Sequence, residues 1–130
     1  MSRTSEAQRP LSPHLQIYKL TITMVMSILH RITGAALFFG TLLVVALLVA
    51  LAAGPGAYGT VQAIYGSIFG KLVLFGYTWA LFHHMLGGIR HLIWDTGAMF
   101  DREGRTSLGW ATIVGSAGLT LLVWALVLMR

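Results

Sequence analysis

Between Ile32 and Ala53 the chain carries no Asp, Glu, Lys or Arg. At 1.5 Å per residue such a run covers a hydrocarbon core of ~30 Å, so lipid rather than water is the solvent this segment is built for. Two further stretches, about 68–94 and 108–129, are also long enough to span, the first of them less uniformly apolar. The expected fold is therefore an all-α membrane protein with three transmembrane helices, spans about 27–53, 68–94 and 108–129. Composition agrees. Of 130 residues 56% are hydrophobic and 10% charged, where a soluble domain carries about 25% charged residues. With no cysteine, thiolate ligation, disulfides and iron–sulfur clusters within this chain are excluded, and histidine is the main metal ligand left.

A net charge of +5 raises the question of nucleic acid, but the distribution of charge argues against it. Arg3, Arg9, Lys19 and Arg31 all precede the first apolar run, as expected of a cytoplasmic flank. Residues 1–26 read as a polar cytoplasmic arm, with Pro10 and Pro13 and without the apolar core of a secretory signal. Gly54-Pro55-Gly56 ends the first span, and the connector to about Ser67 is uncharged, which places it on the periplasmic side with Lys71 snorkelling. Asp95 to Ser107 holds Asp101, Arg102, Glu103 and Arg105 and returns the chain to the cytoplasm. The orientation expected is N-terminus in, C-terminus out, with 27–130 as the membrane domain. A leader too short for a mitochondrial transit peptide favours a bacterial chain, in the inner membrane, or an already processed one.

The second span carries the chemistry, because Tyr77, His83, His84, Arg90 and His91 interrupt it and each needs a partner. The rise from His84 to Asp95 is roughly 16 Å, which puts His84 near mid-membrane. His91 shares its face about 10 Å away, and Gly76, Ala80, His84 and Gly88 form a small-residue stripe on which a flat macrocycle could lie with iron at His84. The alternative is ordinary helix packing with His84 hydrogen-bonded to a neighbour. His83 points ~100° away, so the two adjacent histidines cannot ligate one iron from opposite sides. His14 lies outside the membrane, His30 near its surface, and the third span offers only Met129 at the wrong end. A six-coordinate haem would then take its second ligand from another chain.

Ser27, His30, Arg31 and Gly34 follow i, i+3, i+4, i+7 spacing and read as a polar cluster pointing inward at the cytoplasmic mouth of the first helix. Propionates of a haem at His84, or a quinone carbonyl, would suit it; Arg31 as a snorkelling anchor is the plainer alternative. Arg90 and Asp95 read as an interfacial pair, and Trp79, Trp94, Trp110 and Trp124 as an aromatic belt.

Three motifs in order, Arg9-Pro-Leu-Ser-Pro-His-Leu-Gln-Ile-Tyr-Lys19, Ser27-Ile-Leu-His-Arg31 with Thr33-Gly34, and His84 followed by Gly88-Ile-Arg-His-Leu92 and Asp95, resemble the cytochrome b556 subunits of succinate dehydrogenase over all three spans. The resemblance implies a membrane anchor of complex II, itself not catalytic alone, paired with a second small anchor and capped by iron–sulfur and flavoprotein subunits. It implies haem b shared between the anchors with His84 as the axial ligand from this chain, Ser27 and Arg31 at the ubiquinone site, and His30, Arg31 and His91 near the haem. Electrons from succinate would reach ubiquinone, with Arg31 stabilising charge that develops on a quinone oxygen and Ser27 hydrogen-bonding its carbonyl. Rival readings are a haem-free structural anchor and a proton conductor through His84 and His91. A fumarate reductase anchor would look similar.

Overall fold

A computed structural model describes residues 17–129, so the motif around His14 and most of the expected arm lie outside the described residues. Four helices follow in order: α1 (Ile22–Ala53), α2 (Pro55–Gly66), α3 (Ile68–Asp95) and α4 (Arg102–Leu128). Of these, α1, α3 and α4 are long and apolar enough to cross a membrane. Each outruns the ~20 residues a bilayer core requires.

The helices extend beyond the apolar runs, for identifiable reasons. α1 starts at Ile22, ahead of Ser27, and stops at Gly54, whose φ of 109° only glycine adopts without strain. Pro55 then occupies the first turn of a new helix, where its missing N–H is no loss. The expected connector is consequently largely helical, and α2 is tied back to α1 by a hydrogen bond from the Tyr65 hydroxyl to the Leu43 carbonyl, 2.6 Å. At the α2–α3 corner, Ser67 caps α3 by accepting from the Gly70 amide at 3.0 Å. A Cβ on Gly70 would collide with the Ile64 carbonyl and Tyr65 Cα, so the corner closes only over glycine.

Asp101, Arg102 and Glu103, read as loop for their charge, instead start α4. The Asp101 carboxylate accepts from the Gly104 amide at 3.0 Å, and Glu103 lies in the first turn where the helix dipole favours it. The Gly104 amide, assisted by other local amides and by Arg105, holds the Asp101 carboxyl below its ordinary value.

α3 is the central element, antiparallel to both neighbours. Gly40 meets Tyr77, and Gly34 meets His84 across α1–α3; His83 meets Ser116, and Thr78 meets Trp124 across α3–α4. α4 also closes on the start of α1, where a Cβ on Gly109 would sit 3.2 Å from Ile22 Cδ1. The interior is polar and small. Among the described residues the buried side chains are Met26, Ala50 and Ala80 with Thr33, His83, Arg90, Thr112, Ser116 and Thr120, while Phe38, Phe39 and Ile68 lie 75%, 67% and 83% exposed. That inversion suits lipid, where apolar surface needs no cover and polar groups do. Two of the four tryptophans also make contacts between helices or along α3: Trp79 packs against the His83 ring (centroids 5.0 Å), and Trp124 donates to the Thr78 hydroxyl at 3.3 Å.

Gly70→Ala should lower the thermal midpoint of the detergent-purified protein, at a cost of about 1–3 kcal/mol for backbone overpacking. Gly59→Ala, where a Cβ meets nothing within 4 Å, should hold or raise it, by up to about 1 kcal/mol from helix propensity. Equal loss in both would remove the steric explanation.

Candidate functional site

α1 and α3 approach through a reciprocal exchange in which each helix sends an imidazole toward a glycine of the other. A Cβ on Gly34 would stand 3.0 Å from His84 Cε1, and a Cβ on Gly87 would stand 2.5 Å from His30 Nδ1. The two rings stack, with centroids 4.0 Å apart and planes 7° from parallel. His91 extends the column toward the α3 C-terminus, its centroid 5.1 Å from His30 and 5.4 Å from Trp94. Thus His30, His84 and His91, singled out separately in the sequence, form one group.

The hydrogen bonds set the tautomer of His84. Its Nδ1 lies 3.2 Å from the His30 carbonyl and 3.3 Å from Thr33 Oγ1. A carbonyl only accepts, so the proton sits on Nδ1. Thr33 reinforces this, since its own hydrogen goes to the Leu29 carbonyl (2.8 Å) or the His30 carbonyl (3.1 Å), leaving its oxygen free to accept. Nε2 of His84 therefore keeps its lone pair, and it makes no hydrogen bond to any described residue. This is the arrangement by which proteins prepare a histidine for a metal: the far N–H is anchored to a carbonyl and the near nitrogen is left basic. His91 is set likewise by its contact to the Gly87 carbonyl at 2.7 Å. Among the described residues no group of three or more His, Cys, Asp or Glu could hold a metal ion by themselves.

The adjacent His83 belongs to the opposite face, as the ~100° turn between neighbours requires. It is 1% exposed, with Nδ1 3.2 Å from Ser116 Oγ. Ser116 gives its hydrogen to the Ile113 carbonyl (3.0 Å), so it accepts from His83. His83 is committed to α4 and does not compete with His84.

Three expectations change. Ser27 and Arg31 do not point inward with His30 and Gly34; they are exposed, because a stripe with i, i+3, i+4 spacing is wide and only its His30–Gly34 edge meets α3. The stripe Gly76, Ala80, His84, Gly88 does not pack as a unit. Ala80 is buried, but a Cβ on Gly76 or Gly88 meets nothing within 4 Å, since i, i+4 positions drift ~40° per step. Arg90 turns inward, 4% exposed, with its guanidinium carbon 5.1 Å from the Trp94 ring centroid, while Asp95 is exposed. It shares the His83 face, two turns on.

Residues 5–123 match the family described as succinate dehydrogenase/fumarate reductase transmembrane subunit. The chain belongs to this family. It is 41% identical over 127 residues to the succinate dehydrogenase cytochrome b556 subunit of Paracoccus denitrificans, covering 95% of this chain and 98% of that one. The corresponding subunit of Rickettsia felis is 42% identical over 117 residues, covering 90% and 91% of the two chains. The mitochondrial cytochrome b560 subunit of Sus scrofa is 36% identical over 124 residues, covering 87% and 70%. As a transmembrane subunit of succinate dehydrogenase/fumarate reductase, the chain is a multi-pass membrane protein that works as part of a larger enzyme.

Sequence reasoning missed Gly87 and Ser116 and quoted Thr33 only as part of a motif; the roles of all three appear only when the helices cross. Ser116→Ala should leave the His83 N–H buried without an acceptor and destabilise the α3–α4 contact by about 1–3 kcal/mol, read as a lower thermal midpoint. Ser116→Thr, which keeps the hydroxyl, should recover part of it. No difference between the two variants would show that the hydrogen bond contributes nothing.

Proposed function

We propose that this chain supplies one half of a b-type haem site and one wall of a ubiquinone site in succinate:quinone oxidoreductase. The observation that carries the reading is the His84 anchor: Nδ1 held by the His30 carbonyl and Thr33, Nε2 left with a free lone pair. Beside it, Gly88 leaves surface on which a Cβ would meet nothing. These features fit a haem. The cytochrome b556 name of the relatives supports it. A bound haem b supplies a one-electron centre whose potential depends on its axial ligands.

The remaining roles follow from this chain's own groups. His84 would hold the haem iron from α3, with a second ligand supplied by a second small anchor subunit seated on the α1–α3 face. Thr33 and the His30 carbonyl hold His84 in the ligating tautomer. His30, Arg31 and His91 would lie near the haem, with Arg31 pairing with a propionate or, instead, reaching the quinone. Exposed Ser27 and Arg31 donate to the quinone. Ser27 orients a carbonyl, and Arg31 stabilises negative charge as it develops on the quinone oxygen. Succinate oxidation belongs to the flavoprotein subunit, and electrons arrive through the iron–sulfur subunit. The orientation is N-terminus in and C-terminus out in a bacterial inner membrane, with the segment that precedes α1 on the cytoplasmic side. That the exposed Ser27 and Arg31 face away from this chain's own core supports a site completed by other subunits.

His84→Ala should alter or abolish the native b-type absorbance spectrum of the purified complex; an unchanged spectrum would refute the ligand assignment, and no pyridine haemochrome from the wild type would favour a purely structural anchor. Arg31→Ala should lower succinate:quinone activity at least about tenfold while succinate oxidation by an artificial dye persists. Equal loss of both activities would sink the quinone role.

A further inference from the structure

Where α1 and α4 both begin, Thr21, Ile22 and Thr23 face Arg102, Arg105 and Thr106 across a cavity of about 480 Å³. Two guanidinium groups and three hydroxyls line it, and among the described residues no carboxylate does. Two acids flank the arginines in sequence, Asp101, bound to the Gly104 amide and acted on by Arg105, and Glu103 in the first turn of α4, and neither lines the cavity. The α1 side adds to the positive character. Thr21 makes no side-chain cap, its hydroxyl instead lying 3.0 Å from that of Thr23, and while the Met24 amide turns back to the Thr21 carbonyl, those of Ile22 and Thr23 have no acceptor among the described residues.

Below the cavity the surface changes character. Ile22 closes its floor against Gly109. Beyond that, Val25 and Ile28 on α1 and Trp110 and Val114 on α4 are exposed at 36%, 47%, 56% and 65%. A cationic, hydroxyl-lined cavity above apolar helix faces, with a tryptophan at the boundary, is complementary to a molecule with an anionic head and apolar tails.

We propose that this cavity binds the phosphate of an anionic phospholipid, with Arg102 and Arg105 gripping the phosphoryl oxygens, the one hydroxyl hydrogen that the Thr21–Thr23 pair leaves over donating to them, and the acyl chains running over Val25 and Trp110. Guanidinium matches phosphate geometry bidentately, which suits arginine here. A free phosphate would satisfy the cations but leave the adjoining apolar surface without a role. The site is separate from His84 and stands whether or not the haem reading holds.

The test uses the whole detergent-purified complex, delipidated and titrated in turn with phosphatidylglycerol, phosphatidylcholine and inorganic phosphate, with bound lipid counted by native mass spectrometry. Phosphatidylglycerol should be retained in preference to phosphatidylcholine and should not be displaced by inorganic phosphate. Arg102→Gln/Arg105→Gln should weaken its retention about thirtyfold, and Arg105→Gln alone about fivefold, with Arg102→Lys/Arg105→Lys keeping most of it. Should the double variant fail to assemble, the single variant decides. Equal retention of the two lipids, competition by inorganic phosphate, or unchanged phosphatidylglycerol binding in Arg105→Gln would each overturn the proposal, the last pointing to a protein contact for these arginines.

Discussion

The two-way fit of histidine against glycine between α1 and α3 governs the rest of the structure. His30 occupies the space over Gly87 and His84 the space over Gly34, so the backbones approach closely enough for a side chain on α3 to reach a main-chain carbonyl on α1. A methyl at either glycine would push an imidazole aside. That single crossing stacks the rings, sets the proton on His84 and fixes the depth at which α3 runs past α1. With one face of α3 spent on this contact, the other is free for His83, Arg90 and the hydroxyl row of α4.

Lipid explains why such a crossing holds. Burying apolar side chains between helices gains little when the surroundings are equally apolar, so stability must come from close packing and satisfied polar groups. The buried set follows the packing half of that requirement, with alanine, threonine, serine, histidine and arginine inside and phenylalanine, leucine and isoleucine outside, while His83 Nε2 and Arg90 Nε are buried without a hydrogen-bond partner among the described residues.

The spans and the division of labour between His83 and His84 were legible in the sequence because both depend on one helix at a time: length without charge, and ~100° per residue. Family membership was legible because three motifs kept their order. What a single helix cannot encode was missed. Thr33 and Gly87 matter through a neighbour at a particular depth, and the inward turn of Arg90 depends on α4 packing beside His83. Two features were misread from composition. Pro55 stops one helix but also starts the next, and the charges of Asp101 and Glu103, which look like loop, are what a helix N-terminus prefers. Ser27 and Arg31 read as inward because their spacing gives a face but not which edge of it meets α3.

The hydroxyls of α4 bear on how the protein is made. Thr112 donates to the Leu108 carbonyl, Ser116 to that of Ile113 and Thr120 to that of Ser116, at 2.8, 3.0 and 2.7 Å. Each hydroxyl is satisfied within its own helix, so α4 can leave the insertion machinery as a self-sufficient rod and wait in the bilayer before it finds α3. His83 has no such internal acceptor. Its N–H is answered only when Ser116 arrives, which makes docking of the last helix the event that completes the second.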